Sequence, residues 1–272
     1  MKSITRTVAS FVPMLLLAAL ETSGMAQTVG VTAALRNDVR MKTQANPTMH
    51  RVVLKERVSM GNDIATGAAS RAQLLLLDQT SFSIGANAKV RIDRFVFDPA
   101  RNASSLAASV AKGTFRFMSG KPLHNEPGKS AIQTPVASIG IRGTIVEGAV
   151  GADAIAIANA ELNIPKPFRA DPEKATLIIL RGPGKGIPGI IPGAIDVTIG
   201  DLTIPLEDVG MALFVPGPGQ APVGPFLISD EALRSLHLLL RGMPMPDDEQ
   251  IWFSDVPTNN QIEARGQAAA GP

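Results

Sequence analysis

The stretch TPVASIGIRGT, residues 134–144, is an apolar, β-prone run that contains one arginine and three Gly or Pro residues. Its Thr-Pro pair predicts a strand start, because proline has a fixed φ, and its glycines permit positive φ or close backbone approach. The arginine offers five N–H donors, so it is either a clasp between neighbouring turns or a clamp for the carboxylate of a partner peptide or glycan. The motif residues are Thr134, Pro135, Gly140, Arg142, Gly143 and Thr144.

On both sides of this stretch the chain reads as short strands. In KVRIDRFVFD (89–98), apolar Val90 and Ile92 alternate with charged residues, but the phenylalanines at 95 and 97 fall on the opposite parity. A bulge or bend near Arg94 would restore a single apolar face. In GTFRFMSGK (113–121), the alternation predicts that Phe115 and Phe117 point inward.

The fold class follows from the spacing of these strands. Runs of about ten residues, separated by Gly, Pro and Asn, predict an all-β domain over residues 50–150, built as a short-strand roll, a solenoid or a sandwich. Residues 102–113 fit a short helix or a strand equally well. Pattern alone does not decide between these architectures.

The second half of the chain is predicted to continue the β structure. Residues 151–180 include an ambiguous Ala-rich segment, and residues 181–226 hold 18 Gly and Pro, which favours turns and short strands. We therefore expect a Gly/Pro-rich β continuation over 151–228. Residues 229–242 carry a serine N-cap and a leucine stripe, and predict one C-terminal helix. The tail, 243–272, is polar and rich in helix breakers, and we expect most of it to be disordered.

The N-terminus has the order of a secretory signal peptide. Lys2 and Arg6 precede an apolar run over 11–20, and small residues follow, with a cleavage position after Ala26. The run is shorter than the roughly 20 residues that span a bilayer, although a retained anchor is the alternative. We expect residues 1–26 to be removed, leaving a periplasmic or secreted chain with no membrane span.

Composition narrows the chemistry of the mature chain. The chain has no cysteine and no tyrosine, and only 4% of its residues are aromatic. Removal of residues 1–26 takes away two basic residues and one acidic residue, so the net charge falls from +2 to +1. A mild basic excess over 36–57 is interpreted as a solvated face, and we expect no nucleic-acid partner. The three histidines lie far apart and no nucleophile motif is present, so we expect no enzyme activity, cofactor or metal.

Three segments together resemble the FecR domain family over residues 50–150: GNDIATGAASRAQLLLLDQTSFSIGANAKVRIDRFVFDPA, AKGTFRFMSGK and SAIQTPVASIGIRGT. One departure is Gln79, which stands where the family pattern usually has glycine. The matching positions are Gly61, Ile64, Thr66, Gly67, Arg71, Asp78, Thr80, Gly85, Lys112, Gly113, Phe117, Gly120, Thr134, Pro135, Gly140, Arg142, Gly143 and Thr144.

The resemblance implies a β-rich periplasmic domain without catalysis. The family's founding members sense iron–siderophore transport and regulate a sigma factor, using a cytoplasmic helical segment and a membrane helix. The pattern of this chain leads us to expect a stand-alone exported member without that anti-sigma segment. The expected function is an interaction module that binds an envelope protein. The alternatives are a module that binds cell-wall polymer or polysaccharide, and a sensor or regulator of a sigma-factor pathway.

Overall fold

The computed structural model describes residues 27–124, 128–182 and 193–240, which form seventeen strands and three helices. The strands are β1 (Thr28–Arg36), β2 (Val39–Lys42), β3 (His50–Arg51), β4 (Arg57–Ser59), β5 (Asp63–Thr66), β6 (Arg71–Leu76), β7 (Ser81–Ile84), β8 (Lys89–Asp98), β9 (Ala103–Met118), β10 (Ser130–Gln133), β11 (Ser138–Arg142), β12 (Ile145–Val150), β13 (Thr176–Gly182), β14 (Ala194–Ile199), β15 (Leu202–Leu206), β16 (Met211–Val215) and β17 (Val223–Leu227). The helices are α1 (Lys121–His124), α2 (Ala152–Ala160) and α3 (Asp230–Leu240).

The strands form two sheets that share β9. Sheet 1 has the order β4–β1–β6–β7–β9–β12–β13–β16–β17. Sheet 2 has the order β3–β2–β5–β8–β9–β10–β11–β14–β15. Within these orders the β9–β10 pair is parallel and the other pairs are antiparallel. The chain passes between the two sheets many times along its length. The seventeen strands of the described residues confirm the predicted all-β class.

Strand β9 passes from sheet 2 to sheet 1 at Gly113. Residues before it pair with β8, whereas residues 113–118 pair with β12. Gly113 has φ +84°, and a Cβ atom there would lie 2.5 Å from Ala88. Only glycine fits both the backbone conformation and this approach. The ambiguous segment 102–113 is therefore strand.

The main core lies between the sheets and is built from alternate residues of both. Phe82 packs edge-to-face on Phe115 and Phe117, with ring centroids 6.3 and 5.6 Å apart. In β8 the pairing with β9 shifts between Ile92 and Arg94, so that both Ile92 and Phe95 are fully buried. This confirms the predicted bulge near Arg94.

A second core lies on the outer face of sheet 1, beneath α2 and α3. Helix α3 confirms the predicted C-terminal helix, with Ala232, Leu236 and Leu240 buried and the Ser229 hydroxyl accepting a hydrogen bond from the backbone N–H of Ala232 at 3.3 Å. The ambiguous Ala-rich segment is helix α2, so the region predicted as a β continuation over 151–228 begins with a helix. Its later strands join the same two sheets.

Two parts of the predicted organisation lie outside the described residues: the signal peptide over 1–26 and the tail over 243–272. The β structure also begins earlier than the predicted boundary at residue 50, because β1 and β2 are integral strands of sheets 1 and 2. Across the described ranges, no helix combines the length and apolar character needed to cross a membrane.

Candidate functional site

The Thr-Pro motif forms the tight turn between β10 and β11. The backbone N–H of Thr134 donates to the carbonyl of Ala137 at 2.8 Å, and the N–H of Ala137 donates to the Thr134 hydroxyl at 3.1 Å. Pro135 is exposed at the tip of the turn. These two motif residues shape a hairpin, because the threonine closes the turn and the proline presets its φ.

The Gly-Thr end of the motif carries the chain from sheet 2 to sheet 1. Gly143 has φ +54°, and the Thr144 hydroxyl donates to the carbonyl of Gly182 at 2.6 Å. The backbone of Thr144 also exchanges hydrogen bonds with Ser119, whose hydroxyl lies 3.1 Å from its N–H and 3.0 Å from its carbonyl. Both residues therefore hold the crossover in place.

Arg142 points to the outer face of sheet 2 and joins neighbouring strands there. Its Nη2 donates to Asp196 Oδ1 on β14 at 3.1 Å and lies 3.8 Å from Glu207 Oε1, just after β15. Gly140, two residues earlier on the same face, is paired directly opposite Asp196. Arg142 thus ties three strands through carboxylates, while its side chain remains 36% exposed.

The turn between β6 and β7 shows why the family pattern usually has glycine at the position of Gln79. Gln79 has φ 68°, a left-handed conformation that glycine adopts without strain. Buried Asp78 accepts hydrogen bonds from the N–H of Thr80 at 3.0 Å and from the hydroxyl of Ser104 at 2.7 Å. The aspartate and threonine of this turn therefore keep their structural contacts, although the central residue is not glycine.

The outer face of sheet 2 is a broad polar surface. Its strands alternate, with buried apolar residues such as Ile132 and Ile139 facing the core and small or charged residues facing outward. Hydrogen bonds join some outward neighbours, as between Gln133 Nε2 and Ser138 Oγ at 2.8 Å. One row of directly paired residues crosses eight strands: Lys42, Asp63, Arg91, Ser109, Gln133, Ser138, Thr198 and Thr203.

A cavity of about 450 Å³ opens at the β2–β5–β8–β9 end of this face. Asp63 and Asp93 flank Arg91, with Nε–Oδ1 distances of 3.7 and 3.8 Å. Alanines form part of the wall. The charged side chains around the cavity are Lys42, Asp63, Lys89, Arg91 and Asp93.

The outer face of sheet 1 holds a buried ionic cluster beneath α3. Glu147 is fully buried, and its carboxylate lies 2.6 Å from Arg116 Nε, 3.3 Å from Arg181 Nε and 3.3 Å from His237 Nε2. Burial by itself raises the pKa of Glu147, but Arg116, the His237 hydrogen bond and Arg181 together outweigh it and hold that pKa well below its usual range. The carboxylate is therefore charged and enclosed by its partners, as in a structural ion network.

Arg71 attaches the end of α3 to the same sheet. Its Nη2 and Nε donate to the carbonyls of Leu238 and Leu239 at 2.9 and 3.0 Å, which satisfies two acceptors left open at the helix C-terminus. At the other end of α3, the Glu161 carboxylate accepts the backbone N–H of Ser229 at 2.7 Å. Helix α3 is thus held at both ends and in the middle by charged side chains.

The sequence did not indicate the ionic cluster, because its members come from β9, β12, β13 and α3 and meet only through strand order. Their one local signal was the presence of charged residues inside otherwise apolar strands. In the ranges the structure describes, no group of three or more His, Asp or Glu side chains is arranged to hold a metal ion.

Comparison with known proteins identifies part of the chain. Residues 62–160, about a third of it, match the family model described as FecR protein. No curated protein matches the sequence. Two crystal structures of a candidate anti-sigma factor from Parabacteroides distasonis ATCC 8503 align at 12% identity over 59% of this chain and 57% of theirs, with TM-scores of 0.36 and 0.35.

A third structure, described as a cell surface anchoring domain, aligns at 18% identity over 24% of this chain and 84% of its own, with a TM-score of 0.23. At these TM-scores the likenesses carry no functional meaning. The chain matches little more than half the length of each Parabacteroides chain. The match to the family model includes the motif residues 134–144. Residues 62–160 of this chain therefore match the FecR protein family.

Proposed function

We propose that this protein is a non-catalytic interaction module of the cell envelope, which binds a partner protein on the outer face of sheet 2. The observation that supports this is the asymmetry of the two outer faces. Helices α2 and α3 cover the middle of the outer face of sheet 1, on β9, β12 and β13, whereas most outward residues of sheet 2 remain exposed or half-exposed.

The open face has the dimensions of a protein interface. Eight strands at a spacing of about 4.8 Å give a width of about 34 Å. Stable interfaces bury about 800 Å² on each partner, which a face of this width and several residues in height approaches. Its Ser, Thr and Gln side chains supply donors and acceptors, and Arg142 lies within it as a charged group already paired to carboxylates.

The location in the envelope rests on the N-terminal sequence. The order of basic residues, apolar run and small residues over 1–26 supports export to the periplasm or the exterior. A module in that compartment would meet membrane-anchored or secreted proteins as its partners. The presence of a FecR domain is consistent with such a regulatory or binding role.

A second candidate function is regulation of a sigma-factor pathway. The match of residues 62–160 to the FecR family favours it, since the founding members of that family regulate a sigma factor. The two candidates differ in the effect of deleting the gene. Loss of a regulator would change the transcripts of one sigma-factor regulon, whereas loss of an interaction module outside that pathway would not.

The test is in-cell crosslinking of the full chain, followed by mass spectrometry of captured proteins. Ser138→Arg would place a bulky charge at the centre of the open face. Ala156→Arg makes a comparable change on the exposed side of α2 and serves as the control. We expect the parent and the control to capture one recurrent protein and Ser138→Arg to lose it at least tenfold, with unchanged circular dichroism.

Two results would contradict the proposal. Equal capture by Ser138→Arg and the parent would mean that the open face is not the interface. Retention of the chain on purified cell-wall polymer, with no recurrent protein captured, would instead establish the polymer-binding alternative.

A further inference from the structure

The cavity on the open face has two basic side chains with no acidic partner. Lys42 on β2 and Lys89 on β8 both line it, and within the described residues neither ammonium group makes a hydrogen bond or ion pair. By contrast, Arg91 is flanked by Asp63 and Asp93. The Ser109 hydroxyl donates to Asp93 Oδ2 at 2.5 Å, so that carboxylate is engaged a second time.

Charge complementarity sets the chemistry of an occupant. An anionic group entering the cavity would meet the ammonium groups of two lysines that have no acidic partner. The electrostatic attraction between them weakens as salt is added. The two carboxylates beside Arg91 would repel a polymer with a phosphate at every unit. Separate carboxylates on a flexible backbone fit this arrangement better, because they can reach the lysines and avoid the aspartates.

The shape of the cavity favours an extended peptide. Small Ala65 and Ala111 line it, so a main chain can approach the sheet closely. Lys42 and Lys89 flank β5 on opposite sides and are offset by two residues, which places their Cα atoms about 12 Å apart. In an extended peptide, residues i and i+4 are about 13 Å apart. Among the residues that the structure describes, none of those lining the cavity is aromatic and able to stack on a sugar ring.

We propose that this cavity binds an extended acidic segment of the partner protein, with carboxylates spaced four residues apart held by Lys42 and Lys89. The proposal rests on the proposed interaction function and specifies the chemistry of the partner. The volume of the cavity, about 450 Å³, lies within the range of about 300–1,000 Å³ that is usual for binding pockets.

The test measures fluorescence anisotropy of a labelled dodecapeptide of alternating Glu and Thr, titrated with the full mature chain in 50 mM NaCl. A Gln/Thr peptide of the same length is the neutral probe. We expect the Glu peptide to bind and the Gln peptide not to bind. The double variant Lys42→Gln/Lys89→Gln should bind the Glu peptide about tenfold more weakly, since each exposed ion contact contributes up to about fivefold.

The matched control is Lys121→Gln/Lys174→Gln, which removes two exposed lysines outside the cavity and changes the net charge equally. It should bind the Glu peptide as the parent does. Equal binding by the cavity variant and the control would overturn the proposal, as would equal binding of the two peptides. Tight binding of polygalacturonate with no binding of the Glu peptide would also overturn it and indicate a polysaccharide ligand.

One further outcome concerns the chain itself. The control is a variant with Asp247→Asn, Asp248→Asn and Glu249→Gln. If it binds the Glu peptide at least tenfold better than the parent, this acidic run of the same chain occupies the cavity, and the proposal that a partner protein does so is overturned. The proposed function stays distinguishable from this inference. Capture of a protein that depends on Ser138, without any peptide binding, would contradict the acidic segment and leave the interaction module standing.

Discussion

Replacing Glu147 with glutamine is the most informative test of how this fold is held together. The substitution keeps the shape of the side chain but removes the charge. It leaves Arg116 and Arg181, whose side chains are 12% and 9% exposed, without their common counter-ion. Glutamine also has one acceptor oxygen where the carboxylate has two, so it can no longer serve both Arg116 on one side and His237 on the other, which weakens the contact of α3 with the sheet.

The expected loss follows from the burial of these groups. Removing one partner of a buried ion pair destabilises a protein by about 3–5 kcal/mol, because the groups left behind keep their desolvation cost and lose the attraction that offset it. With an m value of about 2–3 kcal/mol per M urea, the unfolding midpoint should fall by about 1–2 M. Urea titration of the full chain, followed by far-ultraviolet circular dichroism, measures this shift.

The control is Asp196→Asn, because Asp196 also pairs with an arginine but is 40% exposed. An exposed pair contributes about 0.2–1 kcal/mol, so this variant should shift the midpoint by less than about 0.5 M. If Glu147→Gln cost no more than Asp196→Asn, the buried carboxylate would not be stabilising the two arginines, and the account of the cluster would be wrong.

The same carboxylate makes stability depend on pH. The pKa of Glu147 is lower in the folded chain than in the unfolded chain, because Arg116, His237 and Arg181 stabilise its charged form in spite of its burial. Its contribution is therefore complete above the unfolded value of about 4.3 and is lost as pH falls below that value. Urea midpoints of the parent should fall between pH 5 and pH 3, and those of Glu147→Gln should fall less.

Four further substitutions test the backbone and surface contacts by the same urea titration. Gln79→Gly should stabilise the chain by about 1 kcal/mol, because the left-handed conformation at φ 68° strains glutamine; a loss of stability would contradict this. Gly113→Ala should destabilise by at least about 2 kcal/mol, since a Cβ would lie 2.5 Å from Ala88, and an unchanged midpoint would refute the requirement for glycine. Arg71→Met should cost about 2 kcal/mol and loosen the end of α3, seen as faster hydrogen exchange there but not in β12. Arg142→Ala should cost at most about 1 kcal/mol, and a larger loss would show that its half-exposed ion pair is more than a surface contact.

The predictions that succeeded concern patterns repeated over a few residues. The alternation in β8 predicted both the strand and its bulge, because burial of Ile92 and Phe95 on one face requires a register shift. The serine cap and leucine stripe predicted α3 for a similar reason. The Ala-rich segment that forms α2 gave a mixed signal, because alanine favours a helix whereas the alternation of Ala and Ile over 154–157 has the period of a strand.

The sequence by itself therefore determined the fold class, the main strands, the C-terminal helix and the FecR resemblance, since each depends on residues close together in the chain or in a fixed order along it. Only the tertiary structure decided which residues meet. Arg116, Glu147 and Arg181 form a cluster because β9, β12 and β13 are neighbours in sheet 1. Lys42 and Lys89 face one cavity because β2 and β8 flank β5. Strand order reflects the burial of two whole faces at once, a long-range balance that no local periodicity encodes.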